Sequence, residues 1–193
     1  LYRTRSSDNI IREMQEVVTK FKMKEIVFYD DNFSVQRDHV LDLCNKIIDS
    51  GIEIKWKCEA RVNLVDEELL KKMKEAGCYL IAYGVESGNQ NLLDAMKKGI
   101  TLDQVRKALR MTHDAGIETL AYIMIGIPGE THKTIQNTLD FLMEIDPDYA
   151  QISFATPYPK TELYEIARKK GFIQEVDWSK FSYTGDSATA VMK

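Results

Sequence analysis

The sequence predicts an α/β protein with a barrel-like β/α arrangement, and three observations lead there. A helix-period segment, then a glycine, then a short apolar strand recurs along the chain, which is the serial order of β/α units joined by a parallel sheet. The glycines at 51, 77, 99, 116 and 171 each follow a polar helix end, the place where a left-handed residue closes a helix. The stretch 52–62 alternates strictly: Ile52, Ile54, Trp56, Cys58, Ala60 and Val62 point one way, and Glu53, Lys55, Lys57, Glu59, Arg61 and Asn63 the other. A central strand of a doubly wound sheet is covered on both faces and reads as continuously apolar. One ionic face instead implies a wide polar lumen, with the functional end where strands run into the following loops.

Each element follows in order. Ile10, Ile11, Met14, Val17, Val18 and Phe21 form one apolar stripe, predicting a helix over 8–22 capped by Ser6 or Ser7. A short strand over 25–29 precedes a helix whose buried face is Val40, Leu41, Cys44, Ile47 and Ile48. After the strand 52–62, Asp66 starts a helix carrying Leu69, Leu70, Met73 and Ala76, and 79–85 is the next strand. A short helical stretch over 91–98 leads to Thr101, which with Gln104 makes a capping box for a helix through Val105, Ala108, Leu109 and Thr112. The strand 119–125 follows. Thr131 then caps a helix with Ile135, Leu139, Leu142 and Ile145 inward, and Pro147 ends it. The strand 149–154 and the helix 162–169 complete a core domain of 1–172; around Trp178, Phe181 and Tyr183 no period is visible, so 173–193 is read as an irregular segment.

Composition narrows the function. The 193 residues are 44% hydrophobic and 29% charged, enough for a globular core without staples or metals. Twenty-six basic against 30 acidic residues leave a net charge of -4, so neither nucleic acid nor an anionic membrane is an expected partner. Three widely spaced cysteines, Cys44, Cys58 and Cys78, suit a reducing compartment, and with no signal peptide or membrane-span pattern the expected location is the cytoplasm. The chain opens on Leu1 and stops at Lys193 without a terminating element, which predicts a piece of a longer protein.

Polar residues concentrate at the strand ends: Asp30-Asp31-Asn32, then Glu59 and Arg61, then Glu86 and Ser87 between glycines, then Gly126-Ile127-Pro128-Gly129-Glu130, then Thr156-Pro157-Tyr158-Pro159. Turn preference accounts for Asp, Asn, Gly and Pro but does not call for Glu59, Arg61 and Glu86. Arg61 offers a planar fork for a carboxylate, and Glu59 on the same face either holds an ammonium or pairs with Arg61. Glu86 and Ser87 suit a ligand with vicinal hydroxyls, or else a helix N-cap. His39, His113 and His132 make no metal-ligand spacing with the cysteines, and the glycine motifs match neither a P-loop nor a dinucleotide fingerprint.

Taken together, Tyr2-Arg3-Thr4-Arg5-Ser6, Asp30-Asp31-Asn32-Phe33, Cys58-Glu59-Ala60-Arg61-Val62, Tyr83-Gly84-Val85-Glu86-Ser87-Gly88, Met124-Ile125-Gly126-Ile127-Pro128-Gly129-Glu130 and Thr156-Pro157-Tyr158-Pro159-Lys160-Thr161-Glu162-Leu163-Tyr164 resemble a radical S-adenosylmethionine (SAM) protein. The resemblance is to the branch that often carries an upstream cobalamin-binding domain, and it extends to about Phe172.

The resemblance implies a partial TIM-like (β/α) barrel of six units, of which this chain holds units two to six and lacks the first. In the family that first unit carries CxxxCxxC, whose thiolates ligate a four-iron four-sulfur cluster. No such motif is present, and Cys44, Cys58 and Cys78 do not match it. The chain alone is therefore expected to be inactive. Carried over by position, Asp30, Asp31 and Asn32 stand where the methionyl amino group is met, with acidic residues in place of the glycine-rich version. Glu59 and Arg61 fall at methionyl contacts, Glu86 and Ser87 at the ribose, and Lys98 at the methionyl carboxylate. Met124 to Gly126 would present backbone to the adenine, with Glu130 supporting that turn. The implied chemistry is reductive cleavage of SAM to a 5′-deoxyadenosyl radical that takes hydrogen from a substrate. Implied partners are a small-molecule substrate and a reductant protein, and cobalamin through an upstream domain is the accompanying expectation. With its first strand missing, the sheet edge at 25–29 is expected to support a dimer. Two other readings stay open: a cluster-free β/α-barrel lyase or isomerase using Lys57, Glu59 or Glu86 as acid or base, and a non-catalytic barrel binding module.

Overall fold

The computed structural model describes residues 3–173. Among them, five parallel strands, β1 (Glu25–Phe28), β2 (Lys55–Ala60), β3 (Cys78–Glu86), β4 (Glu118–Ile125) and β5 (Tyr149–Phe154), lie in the order of the sequence. Seven helices within the described residues join or flank them: α1 (Ser7–Phe21), α2 (Arg37–Ser50), α3 (Glu67–Glu75), α4 (Gln90–Ala95), α5 (Leu102–Asp114), α6 (His132–Ile145) and α7 (Glu162–Lys169). Helices α1, α2, α3, α5 and α6 pack successively side by side, so one face of the sheet is covered and the other forms the lumen. This is the partial barrel expected from the one-sided ionic strand. The irregular segment read over 173–193 lies, apart from its first residue Ile173, outside the described residues.

Local chemistry sets the boundaries. Ser6 caps α1, Asp66 caps α3, and Thr101 with Gln104 forms the capping box of α5. The core lies between helices and sheet, where Trp56 is fully buried, donates its Nε1–H to the Ala76 carbonyl at 2.7 Å, and meets the Phe28 ring edge-on. Gly77 makes that junction possible: at φ +95° it sits against Ile54, whose carbonyl oxygen would be 2.3 Å from any Cβ placed there.

Three expectations need correction. The alternating strand is Lys55–Ala60 rather than 52–62, because the Ile54 carbonyl packs on Gly77 and Val62–Leu64 turns into a 3-10 helix. Ile48 and Phe21 are exposed, and Leu43 takes the buried position on α2. On α6 the inner face is Thr138, Phe141 and Ile145, while Leu139 is exposed. The Thr138 hydroxyl accepts the Gly88 N–H at 3.0 Å, which fixes that face toward the sheet.

Candidate active site

At the carboxyl ends of β2 and β3 the chain builds a cavity of about 140 Å³ whose lining includes Asp31, Glu59, Arg61, Gly84, Glu86, Lys98 and Tyr122. Glu59 points into the lumen by the alternation that buries Cys58 and Ala60 on the helix side. Gly84 lies opposite Tyr122 of β4, and the β3–β4 register shifts before Glu86. Glu86 has φ +66°, and the Ser87 N–H donates to the Val85 carbonyl at 2.9 Å, so the strand ends in a γ-turn centred on Glu86. A non-glycine residue held there is strained, and such strain gathers at functional sites.

The charges are arranged unequally. Lys98 Nζ is 2.7 Å from Glu86 Oε1, with both side chains mostly buried at 26% and 17% exposure. A Cβ on Gly84 would come within 2.7 Å of Lys98 Nζ and 2.8 Å of Glu86 Oε1, so the bare glycine is the floor on which this pair rests. Arg61 does not pair with Glu59: its Nη2 donates to the Lys98 carbonyl at 2.7 Å and its Nε to Asn63 Oδ1 at 3.3 Å. Glu59 instead accepts the Tyr122 hydroxyl at 3.1 Å. Burial, reinforced by the Glu59 charge, pushes the Tyr122 phenol up to about 12, so it stays a donor at neutral pH.

The remaining candidates divide. Asp31 reaches the cavity, whereas Asp30 lines a separate groove with Arg3, Arg5 and Tyr29, and Asn32 starts a 3-10 turn and accepts the Ser34 hydroxyl at 3.1 Å. Ser87 is fully buried and turned away from the lumen: its Oγ lies 3.2 Å from Thr138 Oγ1 and accepts the Asn89 N–H at 3.1 Å, at the N-cap of α4. The γ-turn at Glu86 directs Ser87 toward α6, so Glu86 lines the cavity and Ser87 does not. Met124 sits on the lumen face of β4 beside Ser153. Past it, Glu130 Oε2 accepts the Gly126 N–H at 2.5 Å, bracing the turn, while Glu130 Oε1 is buried with no partner among the described residues. Sequence reasoning misses Tyr122, although it lies two residues before Met124 on the same face.

The residues lining the cavity fit the polar groups of SAM, with two cations, three acids and a bare glycine floor, while the orphaned Glu130 acceptor belongs to the turn from Gly126 to Glu130, which lines a separate groove. They do not fit an iron-sulfur cluster. Cys44, Cys58 and Cys78 are free and buried on the helix side of the sheet. Burial holds two of them as thiols, pushing Cys44 up to about 12 and Cys58 well above its ordinary value. Among the described residues no group of three His, Cys, Asp or Glu side chains is placed to hold a metal, and no helix is long and apolar enough to cross a membrane.

The family model described as the Radical SAM superfamily matches residues 1–142. An uncharacterized methyltransferase from Pyrococcus horikoshii is 34% identical over 181 residues, which cover 94% of this chain and 39% of that protein. An anaerobic magnesium-protoporphyrin IX monomethyl ester cyclase from Cereibacter sphaeroides is 29% identical over 196 residues, covering 100% of this chain and 31% of that protein. Among solved structures, the radical SAM methyltransferase TsrM from Kitasatospora setae, with cobalamin and a 4Fe-4S cluster bound, superposes with a TM-score of 0.78 at 21% identity, over 90% of this chain and 36% of that one. That likeness shows the fold. The chain spans between 31% and 39% of the length of these two curated relatives.

Proposed function

The chain belongs to the radical SAM superfamily, and on that premise we propose that it supplies the SAM-binding lumen of a methyl-transferring enzyme. The observation that carries this reading is the convergence of Glu59, Arg61, Glu86 and Lys98 on one cavity at the carboxyl ends of adjacent strands. Methyl transfer is favoured over other outcomes because a 34% identical relative is named a methyltransferase. Family membership also weighs against the cluster-free lyase or isomerase and against the non-catalytic module.

When bound, SAM supplies an activated methyl group and, on one-electron reduction, a carbon-centred radical. The chain's own residues bind and orient it. Arg61 and Lys98 offer donors to the methionyl carboxylate, Glu59 faces the methionyl end, and Glu86 accepts from the ribose hydroxyls. The backbone from Met124 to Gly126, braced by Glu130, borders the adenine, whose amino group suits the orphaned Glu130 Oε1. No cluster ligand is assigned to this chain, and none is assigned for cobalamin, which we include because it is bound in the solved TsrM structure. The same reading gives the protein a reductant protein and a small-molecule substrate as partners, no nucleic acid or membrane, and the cytoplasm as its place. For this chain taken by itself, we propose a dimer through the β1 edge, which among the described residues pairs only with β2.

The test is anaerobic incubation of the full-length protein with SAM and a one-electron reductant. Formation of 5′-deoxyadenosine or S-adenosylhomocysteine is the expected result. A protein carrying its iron-sulfur cluster that leaves SAM intact contradicts the proposal.

A further inference from the structure

Among the described residues, the helix layer over the sheet ends at β4. Ile123 of β4 and Ile152 of β5 are register neighbours on the helix side, yet Ile123 is 2% exposed and Ile152 48%. Ala121 and Ala150 differ in the same way, one buried and the other exposed, and Phe154 is exposed as well. The helix that follows β5 does not fill the gap. Helix α7 is held through Glu162 by Lys97, 3.0 Å away, and leaves these side chains open.

Helix α6 supplies a matching apolar stripe. Ile135, Leu139 and Met143 stand four residues apart on one face, and Leu139 and Met143 are exposed. Four helical residues rise about 6 Å and two strand residues about 6.6 Å, so the stripe keeps step with Phe154, Ile152 and Ala150. Ile135 and Phe154 already border one groove of about 560 Å³, together with Ile127 and Phe172.

Phe172 points to the occupant. Its N–H donates to the Ala167 carbonyl at 2.9 Å and it lines the groove, so the chain continues toward residue 174 from the groove's own margin. The segment 174–183 carries Val176, Trp178, Phe181 and Tyr183. Its length reaches at most about 33 Å, against about 12 Å from Ile135 to Met143 along α6. Tethering also presents it at an effective concentration on the order of a millimolar, which a second copy in dilute solution does not match.

We propose that residues 174–183 dock on this face, with Trp178 and Phe181 covering Ile152, Phe154, Leu139 and Met143. The apolar face is then the seat of the chain's own continuation, and the inference stands or falls separately from the SAM reading.

The test places the photoreactive residue p-benzoylphenylalanine at position 178 of the full-length protein and maps cross-links by mass spectrometry after irradiation. An intramolecular cross-link to 135–143 or 149–154 is the expected result. Ile152→Glu and Leu139→Glu, both at exposed positions, should each lower its yield at least about tenfold, because a docked aromatic ring would strip water from the new charge. Phe21→Glu, at an exposed position of α1, should leave the yield unchanged. A cross-link to a second copy, to the lumen or to any other part of the protein, a yield indifferent to Ile152→Glu and Leu139→Glu, or no cross-link at all overturns the inference.

Discussion

Lys98 Nζ and Glu86 Oε1 meet at 2.7 Å over Gly84, at a floor position of the lumen where a methyl group would touch both. The strand residue without a side chain and the strained residue two places on thus act together, the first making the space and the second filling it with charge.

Gly84→Ala should separate that pair with little loss of fold. The atoms a new Cβ would meet are the tips of flexible side chains, so unfolding free energy should change by no more than about 1 kcal/mol, while ligand affinity falls. Gly88→Ala should behave oppositely. Its Cβ would lie 2.6 Å from Phe141 Cβ, 2.7 Å from Thr138 Cα and 2.8 Å from the Asn137 carbonyl. Overpacking of this kind costs about 1–3 kcal/mol. Urea unfolding and titration of both variants separate the two effects.

Lys98→Met should leave the mostly buried Glu86 without its cation, at a cost of about 1–3 kcal/mol. Adding Glu86→Gln should restore part of that loss, because the orphaned charge is then gone. A double-mutant cycle measures the coupling, and additive effects would show that the pair does not interact in solution.

Acid stability should depend on Asp148. Burial works against its ionisation, yet the Thr119 N–H at 2.7 Å, His113 at 3.0 Å and the Thr119 hydroxyl together outweigh burial and hold the carboxyl below its ordinary value. A depressed folded value means that the stabilisation is fully present above the unfolded value of about 3.9 and is lost as pH falls through the folded one. Unfolding free energy measured from pH 5 downward should therefore fall more gently in Asp148→Asn than in the wild type.

The three thiols should be silent in the native protein. Cys44, Cys58 and Cys78 are at most 2% exposed, and burial raises both Cys44 and Cys58. Titration with an aromatic disulfide at pH 8 should label none of them until denaturant is added, and then all three. Rapid labelling of the folded protein would mean that the core around Trp56 opens.

Much of this fold is legible in the sequence because its signals are local. Ser6, Asp66, Thr101 and Thr131 each cap the helix that follows them, and β5 and α7 begin and end where their patterns do. Alternation along β2 places Glu59 on the lumen face for the same reason. What escapes depends on contacts between distant segments. The inner face of α6 follows from Thr138 bonding Ser87 and Gly88, fifty residues back in the chain, rather than from the most apolar arc of the helix. Adjacency groups Ser87 with Glu86, although a γ-turn at Glu86 directs Ser87 toward α6. Tyr122 escapes notice because its partner lies across an intervening strand.

The most direct test of the lumen assignment is anaerobic titration of the full-length protein with SAM, comparing the wild type, Glu86→Ala and, as a surface control, Glu162→Ala, whose side chain pairs with exposed Lys97. Saturable wild-type binding, weakened at least about tenfold by Glu86→Ala and unchanged by Glu162→Ala, is the predicted result. Wild-type affinity in Glu86→Ala would place the ligand elsewhere and contradict the assignment.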